Sequence, residues 1–319
     1  KPSSAASDVY KRQVVATRLD VDGLFQGLRC RFPDILFVEG RFDALDPAVR
    51  ARIDAIVTSG AIGAAAQEMA VLPALRLIAC LGSGHENIDV AEAGRRGIAV
   101  CTGAGANAET VADHALALLL SLVRQVPLLD ARTRQGAWRQ GLPALGTLYG
   151  KRLGLLGFGA IGQAVAQRAA GFGMQTRYFS RSDRGVASAR HCGSLVALAE
   201  GSDIVVCSLP GTQDLLHAVD AKFFRALGPD GIFVNVGRGT SVNTQDLADA
   251  LNEGRLAGAA LDVYESEPDV PDCLLRCPNL VLSPHVAGIS AAAAAAQFEL
   301  LSANVAAMRE GRALLTPLV

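Results

Sequence analysis

The sequence has few aromatic residues, few charged residues and no excess of either charge. Aromatic residues make up 5% and charged residues 19% of its 319 positions, and 30 Lys and Arg balance 31 Asp and Glu. A net charge of −1 gives no basis for expecting a nucleic acid or an anionic membrane surface as a partner. Because half of the residues are hydrophobic, intrinsic disorder is excluded. The length predicts about two domains, and the composition favours layered α/β packing over a β-sandwich.

Long apolar runs are also missing. The longest, around Ala115–Val123, has about half of the roughly 20 residues that a transmembrane helix needs. The start of the chain is polar and lacks the apolar region of a signal peptide, so we expect a cytoplasmic protein. Residues 1–12 show no apolar periodicity and are interpreted as a non-native or disordered extension.

The seven cysteines are an odd number and do not have the spacing of a disulfide framework. They are therefore predicted to be reduced, buried thiols of an intracellular protein. Cys273 and Cys277 lie four positions apart, with no histidine or second cysteine pair close in sequence. No metal site is predicted there.

Short β-like runs alternate with helical segments along the chain. The first half contains β-like runs at Val14–Thr17, Ile35–Val38, Ala55–Ser59, Leu75–Cys80 and Gly97–Cys101. The second half contains them at Leu153–Gly157, Thr176–Ser180, Ile204–Ser208, Gly231–Val236, Ala257–Val263 and Leu280–Ser283. This alternation predicts βαβ units with parallel sheets, and the second set matches a doubly wound nucleotide-binding sheet. A mixed α+β domain is the alternative for the first half.

Two helices are predicted with particular clarity. Ala108–Val123 has few helix breakers and is apolar on most of its faces, which predicts burial against another domain or another subunit. A last helix is predicted from Ser290, as its N-cap, to about Arg309.

A glycine-rich loop connects the first strand of the second half to the following helix. Its residues are Gly157, Gly159, Ala160, Ile161 and Gly162, in the pattern GxGxxG. The first glycine permits a tight turn, the second lets the backbone approach a pyrophosphate, and the third allows close packing of helix and strand. The helix N-terminus would stabilise the anion. The pattern alone is weak, but its position between a strand and a helix predicts dinucleotide binding.

The next strand ends without the acid that binds the ribose 2′-hydroxyl of NAD. The residues there are Ser180, Arg181, Ser182, Asp183 and Arg184. Arginine binds phosphate through two parallel hydrogen bonds, so the hydroxyl groups and the two guanidinium groups are suited to a 2′-phosphate. The segment therefore predicts NADPH as the preferred cofactor, with NADH possible.

Three polar segments follow later predicted strands. They contain Arg238, Glu267 and His285, and ligands of open α/β sheets bind beyond the carboxyl ends of the strands. An arginine can bind a carboxylate and polarise a neighbouring carbonyl, while a histidine supplies a proton. A glutamate paired with that histidine favours the imidazolium form. Together they suggest a site for carbonyl reduction.

The ordered motifs resemble those of the D-isomer-specific 2-hydroxyacid dehydrogenase family. They are the GxGxxG loop, an NxxRG segment ending at Gly239, a DVxxxEP segment ending at Pro268 and a PHxxG segment ending at Gly288. The resemblance extends from about Val14 to the end of the chain. It implies that Arg238 binds the substrate and polarises its carbonyl, that His285 is the general acid/base and that Glu267 is its partner.

The resemblance implies further site residues. Ser83 and Gly84 would hold the substrate carboxylate with their backbone N–H groups, together with Arg238 and His285, and Asn107 would line the active-site cleft. The residues expected to contact the cofactor, beyond the glycine loop and the segment from Ser180, are Thr110, Leu209, Pro210, Val236, Gly237, Asp262 and Gly288. Thr110–Leu120 matches a family pattern that packs in a dimer interface, which predicts a homodimer.

The other histidines carry weaker signals. His85 lies in the loop expected to hold the substrate, and contact with the substrate or a structural role are equally compatible with its position. His114 lies inside the apolar helix and is interpreted as structural, while His191 and His217 are expected at the surface.

The resemblance implies two Rossmann-like or flavodoxin-like α/β domains with a cleft between them. Residues 13–103 and 286–319 would form the substrate domain, and residues 104–285 the dinucleotide-binding domain. The expected reaction is NADPH-dependent reduction of a small 2-oxo acid, of the glyoxylate or hydroxypyruvate type, to the D-2-hydroxy acid. A phosphite dehydrogenase and a nicotinamide-sensing co-regulator protein are the alternatives, whereas formate dehydrogenases carry glutamine at the position of Glu267.

Overall fold

The computed structural model describes residues 13–17, 23–142 and 144–318, and the chain divides into two compact units. One unit comprises the residues up to Asn107 together with those from Ser290 onward, and the other is Ala108–Ile289. Each boundary lies four residues after the predicted one. The proposed extension at positions 1–12 lies outside the described residues.

The first unit is built on a parallel sheet of five strands in the order β2-β1-β3-β4-β5. The strands are β1 Gln13–Thr17, β2 Ile35–Glu39, β3 Ile53–Ser59, β4 Leu77–Leu81 and β5 Ala99–Cys101. The helices between them are α1 Leu24–Arg31, α2 Pro47–Arg50, α3 Ala66–Ala70 and α4 Val90–Arg95. This order is that of a flavodoxin-like doubly wound sheet, which replaces the mixed α+β alternative.

The second unit contains a parallel sheet of seven strands in the order β12-β11-β10-β9-β6-β7-β8. The strands are β6 Arg152–Leu156, β7 Gln175–Phe179, β8 Arg190–His191, β9 Ile204–Cys207, β10 Ile232–Asn235, β11 Gly258–Leu261 and β12 Leu280–Leu282. The helices are α5 Ala108–Val123, α6 Val126–Arg134, α7 Ala160–Gly171, α8 Leu195–Glu200, α9 Ala221–Leu227, α10 Thr244–Asn252 and α11 Asp272–Leu275. The order is that of a dinucleotide-binding sheet, in which the chain adds strands first on one side of β6 and then, from β9 onward, on its other side. The predicted fold class, two α/β regions with parallel sheets, is confirmed.

The last helix, α12 Ala291–Arg309, returns to the first unit. Its N-cap is Ser290, whose Oγ accepts a hydrogen bond from the backbone N–H of Ala293 at 3.0 Å. Leu301 and Val305 are buried in the same cluster as Leu28 of α1. The substrate-side unit is therefore made from both ends of the described chain.

The apolar helix α5 is buried mainly by its own unit. Its small and aliphatic residues pack with α7 and with the strands β10, β11 and β12, and Ala112, Ala115 and Leu119 are fully buried. Packing within the unit therefore accounts for its apolar character, where the sequence had suggested another domain or subunit.

The cysteines differ from one another in exposure. Cys80, Cys101, Cys192 and Cys207 are buried, but Cys30 is exposed, so the prediction that all seven are buried was wrong. Burial raises the pKa of the Cys80 and Cys101 thiols to about 12, and all seven are free thiols. Among the residues that the structure describes, no group of three His, Cys, Asp or Glu side chains is arranged to hold a metal ion.

Within the described ranges, no single helix has the length and hydropathy needed to cross a bilayer. The helices α5 and α6, which are bent by 59° with respect to each other, meet both criteria when they are taken together.

Candidate active site

The glycine loop lies at the carboxyl end of β6, where the strand order of the second unit changes direction between β6 and β9. Gly157 has φ +91° and follows β6, and its backbone N–H donates to the carbonyl oxygen of Phe179 at 3.0 Å. A Cβ atom on Gly162 would lie 2.3 Å from the carbonyl oxygen of Gly157. A side chain is therefore disfavoured at Gly157 by its positive φ and at Gly162 by the close approach of the loop to α7.

Gly159 differs from the other two glycines because it faces open space. It is the N-cap of α7, and a Cβ atom placed on it would meet no atom of the protein within 4 Å. The N-terminus of this 12-residue helix follows at Ala160 and Ile161. Unpaired backbone N–H groups at a helix N-terminus attract anions. The loop therefore leaves space for an anion at the N-terminus of α7, and its contact with a pyrophosphate stays a prediction.

The segment after β7 is organised around a buried tyrosine. The Tyr178 hydroxyl donates to Asp183 Oδ1 at 2.5 Å, and the backbone N–H of Gly185 donates to the same oxygen at 2.9 Å. The hydrogen bond from Tyr178 holds the pKa of Asp183 below its ordinary value. Ser180 Oγ donates to the carbonyl oxygen of Ser182 at 2.6 Å. The one acid of this segment is therefore engaged within its own turn.

The two arginines of the segment are presented to solvent. Arg181 and Arg184 are exposed, and neither forms an ion pair with any residue of the described chain. The backbone N–H of Arg184 donates to the Tyr178 hydroxyl at 2.8 Å, which holds the turn in place. Two free guanidinium groups beside an engaged carboxylate suit a phosphate better than a ribose diol.

His285 and Glu267 form a hydrogen-bonded pair. His285 Nδ1 lies 2.7 Å from Glu267 Oε2, and the two side chains are 48% and 33% exposed. Glu267 Oε1 accepts the backbone N–H of Tyr264 at 2.9 Å, so the carboxylate is held from both sides. Because Nδ1 faces a carboxylate, it carries a proton, and Nε2 is the nitrogen that remains for a reacting group.

Tyr264 connects the segment that carries Glu267 to the segment that carries His285. Its hydroxyl donates to the carbonyl oxygen of Ser283 at 2.7 Å. Burial raises the pKa of Tyr264, so its hydroxyl keeps its proton and remains a donor. The side chain of Tyr264 thus joins the two segments that carry Glu267 and His285.

Arg238 lies in a turn fixed by Asn235 and Ser241. Asn235 Oδ1 accepts the backbone N–H of Gly237 at 3.0 Å, and Asn235 Nδ2 and Ser241 Oγ donate to the carbonyl oxygen of Arg238 at 3.1 and 2.7 Å. The following residue, Gly239, packs on the backbone of Tyr264, because a Cβ there would lie 1.9 Å from the Tyr264 carbonyl carbon. The structure therefore brings the turn of Arg238 against the turn of Glu267, as the motif order predicted.

Asp262 is 1% exposed. Its carboxylate accepts hydrogen bonds from Ser283 Oγ at 2.6 Å and from the backbone N–H groups of Val286 and Ala287 at 3.0 and 2.8 Å. Asp262 therefore holds the backbone on either side of His285. Its predicted contact with the cofactor stays a prediction.

Of the other residues predicted to contact the cofactor, Leu209, Pro210, Val236 and Gly237 follow the ends of β9 and β10, Thr110 lies in the first turn of α5 and Gly288 in the loop after β12. Gly237 packs on Leu209, because a Cβ on Gly237 would lie 2.5 Å from the Leu209 carbonyl oxygen. Leu209 and Val236 are buried and Pro210 is exposed, while Thr110 and Gly288 are half-buried. Their contacts with a cofactor stay predictions.

The sequence interpretation missed a second acid–histidine pair. His217 Nε2 lies 2.5 Å from Glu265 Oε1, and Thr244 Oγ1 donates to Glu265 Oε2 at 3.1 Å. His217 had been expected at the surface, but it is half-buried, with φ +52°. The signal was the presence of three acids in the DVxxxEP segment, of which motif reasoning used Asp262 and Glu267 and left Glu265 without a role.

In the first unit, two hydrogen bonds fix backbone carbonyl groups of the loop that is predicted to bind the substrate carboxylate. The Cys80 thiol donates to the carbonyl oxygen of Gly84 at 3.0 Å, and the backbone N–H of Gly103 donates to the carbonyl oxygen of Gly82 at 2.6 Å. The backbone N–H groups of Ser83 and Gly84 donate to no acceptor within the described chain. Fixed carbonyls with free N–H groups are suited to bind an anion.

The chain is similar to known proteins over most of its length. Residues 116–287 match the family described as D-isomer specific 2-hydroxyacid dehydrogenase, NAD binding domain. The chain is 39% identical over 271 residues to glyoxylate/hydroxypyruvate reductase A of Arabidopsis thaliana, covering 85% of this chain and 87% of that protein. It is 38% identical over 268 residues to hydroxyphenylpyruvate reductase of Plectranthus scutellarioides, covering 84% and 86%.

A solved structure is similar over almost the whole chain. It is the NADPH-dependent glyoxylate/hydroxypyruvate reductase of Sinorhizobium meliloti in complex with NADP and malonate, with 34% identity, 97% of each chain covered and a TM-score of 0.86.

Proposed function

We propose a function for this chain from the premise that it belongs to the D-isomer specific 2-hydroxyacid dehydrogenase family. The chain reduces 2-oxo acids to D-2-hydroxy acids and uses NADPH in preference to NADH. The observation that carries this function is the 2.7 Å pair of His285 and Glu267, next to the turn of Arg238 at the carboxyl ends of the strands. Such a site can bind a carboxylate, polarise a carbonyl and donate a proton.

The glycine loop and the arginine segment fit a phosphorylated dinucleotide. The open position at Gly159 leaves room for a pyrophosphate, and Arg181 and Arg184 are free to bind a 2′-phosphate. When bound, NADPH supplies the hydride that reduces C2 of the 2-oxo acid.

The chain's own residues have separate tasks in the reduction. The guanidinium of Arg238 binds the substrate and withdraws electron density from its carbonyl. Nε2 of His285 donates a proton to the carbonyl oxygen, and Glu267 stabilises the imidazolium and orients it. The free N–H groups of Ser83 and Gly84 bind the substrate carboxylate.

Glyoxylate and hydroxypyruvate are the proposed substrates, since they are substrates named for the relatives. The two alternatives from the sequence are not favoured. The relatives named above are reductases of 2-oxo acids.

The purified chain is expected to oxidise NADPH in the presence of a 2-oxo acid, with a kcat on the order of 1–10³ s⁻¹. A panel of glyoxylate, hydroxypyruvate and hydroxyphenylpyruvate, each assayed with NADPH and with NADH, tests this. Phosphite is assayed with NADP⁺ and NAD⁺, because its oxidation to phosphate reduces the cofactor. The glycerate formed from hydroxypyruvate should be the D-isomer by chiral chromatography, whereas the glycolate formed from glyoxylate is achiral. Tight cofactor binding without turnover would instead support a sensor, and turnover with phosphite alone would support the other alternative.

Arg181→Ala is expected to raise KM for NADPH by about 10–100-fold and KM for NADH by less than about twofold. The magnitude is that of one or two charge-assisted hydrogen bonds to a phosphate. The matched control is Arg276→Ala, an exposed arginine of the same unit with no assigned role. Equal changes for both cofactors, or a higher kcat/KM with NADH in the unaltered protein, would contradict the assignment of the 2′-phosphate site.

We propose further that the protein is a cytoplasmic homodimer. Exposed apolar side chains in the segment after α5 support an association of chains, namely Val126, Leu128 and Trp138, at 52%, 52% and 70% exposure. Sedimentation equilibrium distinguishes a dimer from a monomer of 33.1 kDa.

A further inference from the structure

A histidine in the apolar helix α5 points at the buried carboxylate behind the active site. His114 Nε2 lies 3.0 Å from Ser283 Oγ and 3.4 Å from Asp262 Oδ1, and the side chain is 24% exposed. Its partner Ser283 is 169 positions away in sequence. Sequence reasoning treated this residue as structural.

The direction of these hydrogen bonds follows from the chemistry of the hydroxyl group. Ser283 Oγ donates its hydrogen to Asp262 Oδ1 at 2.6 Å, whereas the carbonyl oxygen of Leu261 is 3.5 Å away. A hydroxyl has one hydrogen to donate, so Ser283 can only accept from His114. His114 Nε2 therefore carries a proton. The bonds run in one direction, from His114 to Ser283 and from Ser283 to Asp262.

The chain of bonds ends on the backbone around His285. Besides the two amides that donate to the Asp262 carboxylate, the backbone N–H of His285 donates to the Asp262 carbonyl oxygen at 2.8 Å. His285 has φ +53°, a conformation that a residue with a side chain adopts only when its surroundings enforce it. Asp262 supplies that enforcement through three consecutive amides.

We propose that His114 is a positioning residue of the reduction, which acts on His285 through Ser283 and Asp262. The inference rests on the proposed function, in which His285 donates the proton. A buried carboxylate is destabilised unless donors surround it. His114 and Ser283 supply the donors on the side facing α5, and the amides of Val286 and Ala287 supply the others. Loss of His114 would let Asp262 shift and His285 lose its alignment with Glu267.

The composition of the helix supports a role beyond packing. The inward residues around His114, namely Val111, Ala115 and Leu118, are small or aliphatic, and an aliphatic residue at 114 would add buried apolar area. The imidazole instead places a donor at the serine hydroxyl.

His114→Phe is expected to lower kcat by about tenfold, while KM for the 2-oxo acid and for NADPH changes by less than about twofold. His114→Gln places an amide N–H where Nε2 lies and should restore kcat to within about threefold of the unaltered protein. The matched control on the same helix is Ser121→Ala, which should change none of these values. A residue that only packs would behave in the opposite way, with Phe tolerated better than Gln.

The serine supplies a second test. Ser283→Ala should lower kcat to a similar degree, and the double variant with His114→Phe should be no slower than the slower single variant. If the two losses of kcat add up in the double variant, the proposal is overturned. Once one substitution has broken the chain of hydrogen bonds from His114 through Ser283 to Asp262, the second should have no further effect. Should His114→Phe fail to fold, His114→Leu, which also removes the donor, paired with Ser283→Ala provides the same cycle.

An NMR measurement separates this inference from the proposed function. The imidazole resonances of ¹³C,¹⁵N-labelled His285 should shift and broaden in His114→Phe and remain native in Ser121→Ala. If the unaltered protein reduces 2-oxo acids and His114→Phe has native kcat and native resonances, the positioning role of His114 is wrong and the proposed function is unaffected. If the unaltered protein lacks turnover, the proposed function is wrong. The resonances then decide by themselves whether His114 positions His285.

Discussion

His285→Ala is expected to lower kcat by about 10²–10⁴-fold, the usual contribution of general acid–base catalysis. The variant has no group to protonate the carbonyl oxygen as the hydride arrives. The dissociation constant of NADPH should change little, because the glycine loop and the arginine segment are built from other parts of the chain. Stopped-flow measurement of a single turnover, together with fluorescence titration of NADPH, checks both statements.

The partner of His285 supplies the control for this prediction. Glu267→Gln keeps a hydrogen-bond acceptor near Nδ1 but removes the negative charge, so a smaller loss than that of His285→Ala is expected. Because formate dehydrogenases resemble this family and carry glutamine at this position, the variant should still fold. Near-native kcat in His285→Ala would rule out His285 as the proton donor.

Arg238→Ala is expected to lower kcat by about 10²–10³-fold and also to raise KM for the 2-oxo acid. The first effect is that of removing a donor that stabilises developing negative charge on a reacting oxygen. The second follows from the loss of the cation that binds the substrate carboxylate. Steady-state kinetics with glyoxylate and hydroxypyruvate measures the two effects separately, and the KM for NADPH should stay within about threefold.

A lysine variant distinguishes charge from geometry. Arg238→Lys retains a positive charge but has no planar fork that can hold two oxygens, so it should recover part of the binding and little of kcat. Arg276→Ala again serves as the control for an arginine without a role. Unchanged kcat and KM in Arg238→Ala would remove this residue from the mechanism and leave the substrate to the loop of Ser83 and Gly84.

Local sequence signals were sufficient to predict the longest helix of each unit. The prediction for α5 matches its bounds at Ala108 and Val123, and α12 begins after the predicted N-cap Ser290. Periodicity and capping act over a few neighbouring residues and can therefore be read from the chain itself. The two-residue strand β8 and the helix α6 Val126–Arg134 were missed. β8 is too short for a pattern, and α6 exposes a mixed surface.

The acids of the site show what local patterns cannot decide. The sequence contains Asp183, Asp262, Glu265 and Glu267 close to the predicted strand ends, with similar local contexts. In the folded chain Asp183 is bound by Tyr178, Asp262 is buried behind His285, Glu265 pairs with His217, and Glu267 pairs with His285. Each of these roles depends on which donor the fold brings to the carboxylate.

The order of the four motifs, the glycine loop between strand and helix and the absence of an acid at Ser180 are properties of the sequence. They already determined the family and the cofactor class, and they predicted which residues are catalytic. The tertiary structure decided which side chains meet behind those residues, as His114 and Ser283 do across the 169 positions that separate them. The physical reason is range. Backbone preferences and capping act within a few residues, whereas a hydrogen bond between distant segments exists only after the sheet has brought their ends together.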